Sequence, residues 1–133
     1  MRVVAYSVKP FEKEPLSRAN QKKHDITLIS NSLGAETAEF ARGKDAVVVA
    51  ASDDLSAPVV IRLAGLGVKY IAARAASVSH INRDTALKWG IKISVVPEDN
   101  IAEVIANLDK WQENKCVGKA CACAAVCAAK EQR

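Results

Sequence analysis

Short runs of apolar, β-branched residues alternate along the chain with longer stretches that mix apolar and polar positions. Residues 2–8 (RVVAYSV), 26–30 (ITLIS), 46–51 (AVVVAA), 69–73 (KYIAA) and 91–96 (IKISVV) read as five strands. The third is continuously apolar, which suits a central strand covered on both faces. The intervening stretches read as helices. Residues 11–23 predict a surface helix, and residues 36–41 a short one closed by Gly43. A third helix starts at Ser56, carries Pro58 in its first turn and ends at Gly67. Asn82 is placed to cap a helix over 83–89 that ends at Gly90, and Asn100 with Glu103 has the spacing of a capping box for a helix from 101 to about 113.

Strand and helix alternate five times. Parallel strands joined by right-handed helical crossovers are the expected outcome, with helices on both faces of one sheet. Five strands predict an α/β, flavodoxin-like three-layer sandwich with strand order 2-1-3-4-5, and ligands in such sheets bind beyond the carboxyl ends of the strands. The chain's 133 residues suit one such domain over 1–114, followed by a basic Cys/Ala-rich tail over 115–133.

Composition narrows the function classes. Half the residues are hydrophobic but only 5% are aromatic, so the core is built of Val, Ile, Leu and Ala. The net charge of +4 is concentrated in the tail, where Lys115, Lys119, Lys130 and Arg133 face one acid, Glu131. No basic stripe interleaved with aromatics suggests nucleic-acid binding. The apolar stretch 120–129 is far too short to span a bilayer, and the start of the chain has no leader-like pattern. A cytoplasmic protein is the expectation, its four cysteines thiols or metal ligands rather than disulfides.

Several segments resemble the N-terminal catalytic (substrate) domain of D-isomer-specific 2-hydroxyacid dehydrogenases, nearest the D-lactate dehydrogenase branch. They are VVAYSVKPFEKE, ITLIS, GAETAEFARGKDAVVV, DDLSAPVVIRLAGLGVKYIAARAASVSHIN and ALKWGIKISVVP, in one collinear run from residue 3 to about 97. The resemblance implies an anion-binding turn after the fourth strand, whose backbone amides hold the substrate carboxylate. Here that turn is Arg74, Ala75, Ala76, Ser77, Val78, Ser79, His80, with Ser77 standing where the family has glycine. After the fifth strand, Pro97, Glu98, Asp99 and Asn100 replace the family's aromatic-containing segment.

The resemblance also implies what is missing from these residues. Family members continue into an NAD-binding half that carries the catalytic Arg, Glu and His. No G-x-G-x-x-G occurs here, and Gly65 and Gly67 fall at the end of a helix rather than opening one. No catalytic residue and no cofactor-binding residue is therefore assigned to this chain, and whether it is an enzyme is left open. One expectation is a non-catalytic binding or regulatory module, a homodimer, with a small carboxylate as ligand. Another is the substrate subunit of a split dehydrogenase, with NAD supplied on a nucleotide-binding partner chain.

Cys116, Cys121, Cys123 and Cys127 suggest a third function. Thiolates at this density bind zinc or another thiophilic metal, and neighbouring lysines favour thiol redox chemistry. The competing account is an Ala-rich helix whose cysteines are small packing residues. Of the remaining candidates, His24 is expected in a solvated turn, and Asp53 and Asp54 in a turn leading to a helix start. Trp89 and Trp111 are expected to pack helices.

Overall fold

The computed structural model describes residues 1–21, 23–51, 53–75, 81–97, 100–113, 115 and 117. Five strands form one parallel sheet: β1 (Arg2–Ala5), β2 (Asp25–Leu28), β3 (Ala46–Ala50), β4 (Tyr70–Arg74) and β5 (Lys92–Val96), in the order β2-β1-β3-β4-β5. Four α-helices lie between and after them: α1 (Lys13–Asn20), α2 (Ala57–Gly65), α3 (Arg83–Lys88) and α4 (Ile101–Gln112). Two 3-10 turns, Pro10–Glu12 and Thr37–Ala41, complete the connections.

Alternation along the strands sorts the core into two layers. Val4, Tyr6, Val47, Val49, Ile71, Ala73 and Ile93 face one side, where Val59, Val60 and Leu63 of α2 and Ala86 of α3 cover them. Val3, Ala5, Ala46, Val48, Ala72 and Val96 face the other, under Leu16 of α1 and Val104, Ile105, Leu108 and Trp111 of α4. β3 is buried at every position, as a strand covered on both faces must be. β2 is the half-exposed edge.

The helix ends follow local chemistry. The Asn82 side chain accepts a hydrogen bond from the Thr85 N–H at 3.0 Å, and that of Asn100 accepts one from the Glu103 N–H at 3.2 Å. Ser56 sits at the N-cap of α2 without a side-chain cap bond. Gly67 follows α2 at φ +101°, a left-handed position that glycine enters without strain.

Three expectations change. The predicted helix over 11–23 is a 3-10 turn followed by α1, which stops at Asn20 because Gln21 turns left-handed at φ 49°. His24 is not solvated: it is 5% exposed, with Nε2 2.7 Å from Asp109 Oδ1 and Nδ1 3.3 Å from the Met1 amine. Trp89 does not pack helices; it is 51% exposed, whereas Trp111 is buried and stacks on Tyr70 at 4.8 Å between ring centroids.

Candidate functional site

The carboxyl ends of β1, β3, β4 and β5 open on one mouth, and two buried polar clusters brace it. The first is built on Arg74, the last residue of β4. Its guanidinium is 1% exposed and donates to Glu12 Oε2 at 2.6 Å. Glu12 reaches it because the 3-10 turn Pro10–Glu12 folds the chain after β1 back over the sheet. Its other oxygen accepts the Lys9 backbone N–H at 3.0 Å. Burial alone would raise the Glu12 carboxyl. The hydrogen bond and charge of Arg74, with the Lys9 N–H, outweigh that and hold it below the usual carboxylate range.

The second cluster centres on Asp53, which is 3% exposed. Oδ1 accepts the Ser7 hydroxyl at 2.6 Å and the Leu33 N–H at 2.9 Å; Oδ2 accepts the Ala50 N–H at 2.7 Å. One carboxylate thus ties together the segments that follow β1, β2 and β3. Ser7 adopts φ +57° to present its hydroxyl. Beside it, the Tyr6 phenol is pushed up to about 12 by burial and by the Asp53 charge, and donates to the Thr37 carbonyl at 2.7 Å.

The segment after β4 is anchored on both sides. Ala75 donates its N–H to the Val96 carbonyl, Ile81 bridges Leu55, and the Asn82 N–H bonds the Leu55 carbonyl. Between these anchors, Ala76, Ser77, Val78, Ser79 and His80 lie outside the described residues. Of the expected anion turn the structure thus places Arg74, whose charge is met by Glu12 inside the domain. Next to this end of the sheet, a groove of about 930 Å³ runs between α1 and the start of α4. Lys9, Phe11, Arg18 and Ile101 help to line it, and Phe11 is 73% exposed with the Lys9 ammonium 5.9 Å from its ring centre.

Dinucleotide binding demands close backbone approach to a pyrophosphate at a Gly-rich strand-to-helix turn. The turns leaving β1, β3, β4 and β5 contain no glycine, and the one after β3 carries Asp53 and Asp54, which repel phosphate. Gly65 closes α2. These residues do not fit NAD. Cys116, Cys121, Cys123 and Cys127 lie outside the described residues, and among the described residues no three His, Cys, Asp or Glu side chains gather around a metal-sized space. No helix among the described residues is long and apolar enough to cross a membrane.

Sequence reasoning missed Glu12 and the full role of Asp53. Glu12 sits among exposed charged residues, and only its partner 62 positions away makes it internal. Asp53 looked like half of an acidic pair at a helix start; Asp54, bonded to the Ser56 N–H at 3.0 Å, does match that reading.

Residues 3–114 match the model of the D-isomer specific 2-hydroxyacid dehydrogenase catalytic domain. A 2-hydroxyacid dehydrogenase homolog of Zymomonas mobilis is 36% identical over 98 residues, which are 73% of this chain and 30% of that protein. The D-lactate dehydrogenase of Escherichia coli is 35% identical over the same length, again 30% of its own chain. The apo structure of the Escherichia coli enzyme superposes with a TM-score of 0.70 at 30% identity, covering 86% of this chain and 39% of that one. The Salmonella D-lactate dehydrogenase gives 0.70 at 29% identity, covering 86% and 37%. The chain therefore spans about 30% of the length of the curated relatives it matches.

Proposed function

We propose a function from one premise: the chain belongs to the D-isomer specific 2-hydroxyacid dehydrogenase family, of which it carries the catalytic domain. On that premise these residues act as a binding module for a small carboxylate, held at the turn 74–80, and perform no hydride transfer by themselves. The observation that carries this reading is the bracing of the mouth. Glu12 neutralises Arg74 inside the domain, while Ala75 and Ile81 fix both ends of the turn. The guanidinium is then a positioning residue that sets where the turn begins, and the ligand's charge is met by the turn's amides and by Ser77, Ser79 and His80. With two acids at the β3 turn and none of the glycines a pyrophosphate requires, the domain supplies no nucleotide site of its own.

The test is a titration of ¹⁵N-labelled protein with D-lactate and pyruvate, followed by amide shifts. Saturable shifts confined to 74–82 and the neighbouring β3 turn are expected. Shifts that never saturate, or that scatter over the surface, would remove the reading.

A second reading has its own support. Phe11 stands exposed beside the groove at the mouth, where a further domain or chain would bury it. In this case the chain is the substrate side of an NAD-dependent dehydrogenase completed by a nucleotide-binding partner, or it forms a homodimer. One solved structure 25% identical to this chain, from Lactobacillus delbrueckii, is an NAD complex. Copurification of a chain carrying G-x-G-x-x-G, with NADH oxidation by the mixture and by neither part alone, would establish it. A localisation in the cytoplasm fits both readings.

A further inference from the structure

The groove beside the mouth takes its shape from how two helices are fastened. α1 and α4 each follow a parallel strand, cover the same face of the sheet and run in the same direction. Just past the end of α1, His24 meets Asp109 Oδ1 at 2.7 Å and Lys23 reaches Asp109 Oδ2 at 3.3 Å, which ties that end to the last turns of α4. Among the described residues no hydrogen bond joins the first turns of the two helices. There they stand apart, and the groove of about 930 Å³ opens between them. Its walls are apolar. Phe11, Pro15 and Ala19 recur every four residues and form a strip along one flank of α1, beside the row that buries Leu16. Ile101 and Ala102 of α4 line the opposite wall. Phe11, at 73%, is the most exposed large apolar side chain among the described residues.

A positive charge stands at each end of that strip. Lys9 holds its ammonium 5.9 Å from the centre of the Phe11 ring, and Arg18 lines the groove beside Ala19. Glu12, the acid among the lining residues, is buried and already met by Arg74 from inside the domain. Arg18 also pairs with Glu14, but those side chains are 76% and 78% exposed, and a pair of that kind yields to a better partner at little cost. The size of the groove limits what fits it. The eight residues of α1 extend about 12 Å, or two helical turns. That is too little wall for a standard protein interface, which buries about 800 Å² on each partner. It suits a short helix laid between two others. A second copy meeting at this groove would set Lys9 and Arg18 against their own equivalents. The stretch 115–133 of this chain, with four basic residues and one acid, has the wrong charge as well.

We propose that the groove docks a two-turn amphipathic helix of a partner protein, apolar along one side and acidic at both ends. Its apolar side chains, at i, i+3 and i+4, lie against Phe11, Pro15 and Ile101, and its acids pair with Lys9 and Arg18. The proposal rests on the reading in which a further chain covers Phe11. It does not require that chain to carry a nucleotide, so peptide binding and NADH oxidation fail separately.

The probe is a synthetic peptide, acetyl-EELAALLAEE-amide, titrated into the ¹⁵N-labelled full chain, with acetyl-KKLAALLAKK-amide as the charge-reversed control. Saturable amide shifts confined to residues 9–19 and 100–102 are expected, with the control at least tenfold weaker. Phe11→Ala and Arg18→Glu, each shown by circular dichroism to keep the fold, should each weaken the acidic peptide at least tenfold. Phe40→Ala, an exposed aromatic on the opposite layer, should leave its affinity unchanged. No saturable binding, equal binding of the two peptides, shifts centred elsewhere, or indifference to Phe11→Ala and Arg18→Glu would overturn the proposal. Two further results would overturn it by naming another occupant. One is 3-phenylpropionate shifting the same amides while the acidic peptide does not, which assigns the groove to a small carboxylate. The other is a dimer in sedimentation equilibrium that Phe11→Ala abolishes, which assigns it to a second copy.

Discussion

Removing the Glu12 carboxylate is the sharpest test of how the mouth is held. Glu12→Leu deletes the 2.6 Å contact to Arg74 and the acceptor for the Lys9 N–H, and takes a counter-charge away from a guanidinium that is 1% exposed. Breaking a buried pair from one side costs about 3–5 kcal/mol, most of it the desolvation of the surviving charge. With a urea m-value of about 2 kcal/mol/M for a small protein, a loss of ~4 kcal/mol lowers the unfolding midpoint by about 2 M. Replacing both partners, as Glu12→Leu with Arg74→Met, removes the stranded charge and should recover most of that loss, to within about 1–2 kcal/mol of the parent. Urea unfolding of the parent, both singles and the double variant at pH 7 gives the coupling directly. The pH dependence supplies the sign. A carboxyl held below its ordinary value stabilises the fold above the unfolded-state pKa of about 4.3 and loses that contribution as pH falls through the lower folded value. Glu12→Gln should therefore flatten the acid limb of the stability profile. A cost below ~1 kcal/mol for Glu12→Leu, or a double variant no better than the worse single, would refute the account.

Other expectations follow from the same structure. Asp53→Ala strands three donors and should cost about 3–5 kcal/mol by denaturant unfolding, with the Leu33 and Ser7 segments losing amide protection first. Absorbance at alkaline pH should show Tyr6 ionising near pH 12; its raised pKa means a stabilising contribution present below about pH 10 and lost as pH rises through about 12, an effect absent in Tyr6→Phe. Trp111→Ala should cost about 3–5 kcal/mol and Trp89→Ala less than ~0.5, because the first is buried on Tyr70 and the second half-exposed. Thiol counting with elemental analysis separates the accounts of the tail: four reactive thiols without metal after denaturation fit packing, and one metal equivalent lost with Cys121→Ser fits a site.

The strands and their order were legible because parallel strands buried on both faces must be written as apolar runs, and AVVVAA or IKISVV admit little else. Caps at Asn82 and Asn100 were legible because they act within three residues. What escaped the sequence acts at long range. His24 looked solvated from its polar neighbours, yet Asp109, 85 positions later, closes over it. Arg74 was expected at the start of an anion turn; that it is the inner half of a pair was not legible, because Glu12 carries no local sign of burial. Trp89 failed for the converse reason: an aromatic after a short helix suggests packing, but α3 ends at Lys88 and points the ring outward.

The joint at His24 has a consequence for the order of folding. The layer formed by α1 and α4 draws its two helices from segments some eighty residues apart (Asn20 to Ile101), and its fastenings join positions 85 and 111 residues apart. On a ribosome, β1 to β4 and the α2–α3 side emerge first and can close among themselves. Until α4 follows, Val3, Ala5, Val48 and Ala72 present a hydrophobic face to solvent that α1 covers only in part. Synthesis halted near Pro97 would leave a half-covered sheet, a client for chaperones, and emergence of α4 is the event that closes this layer.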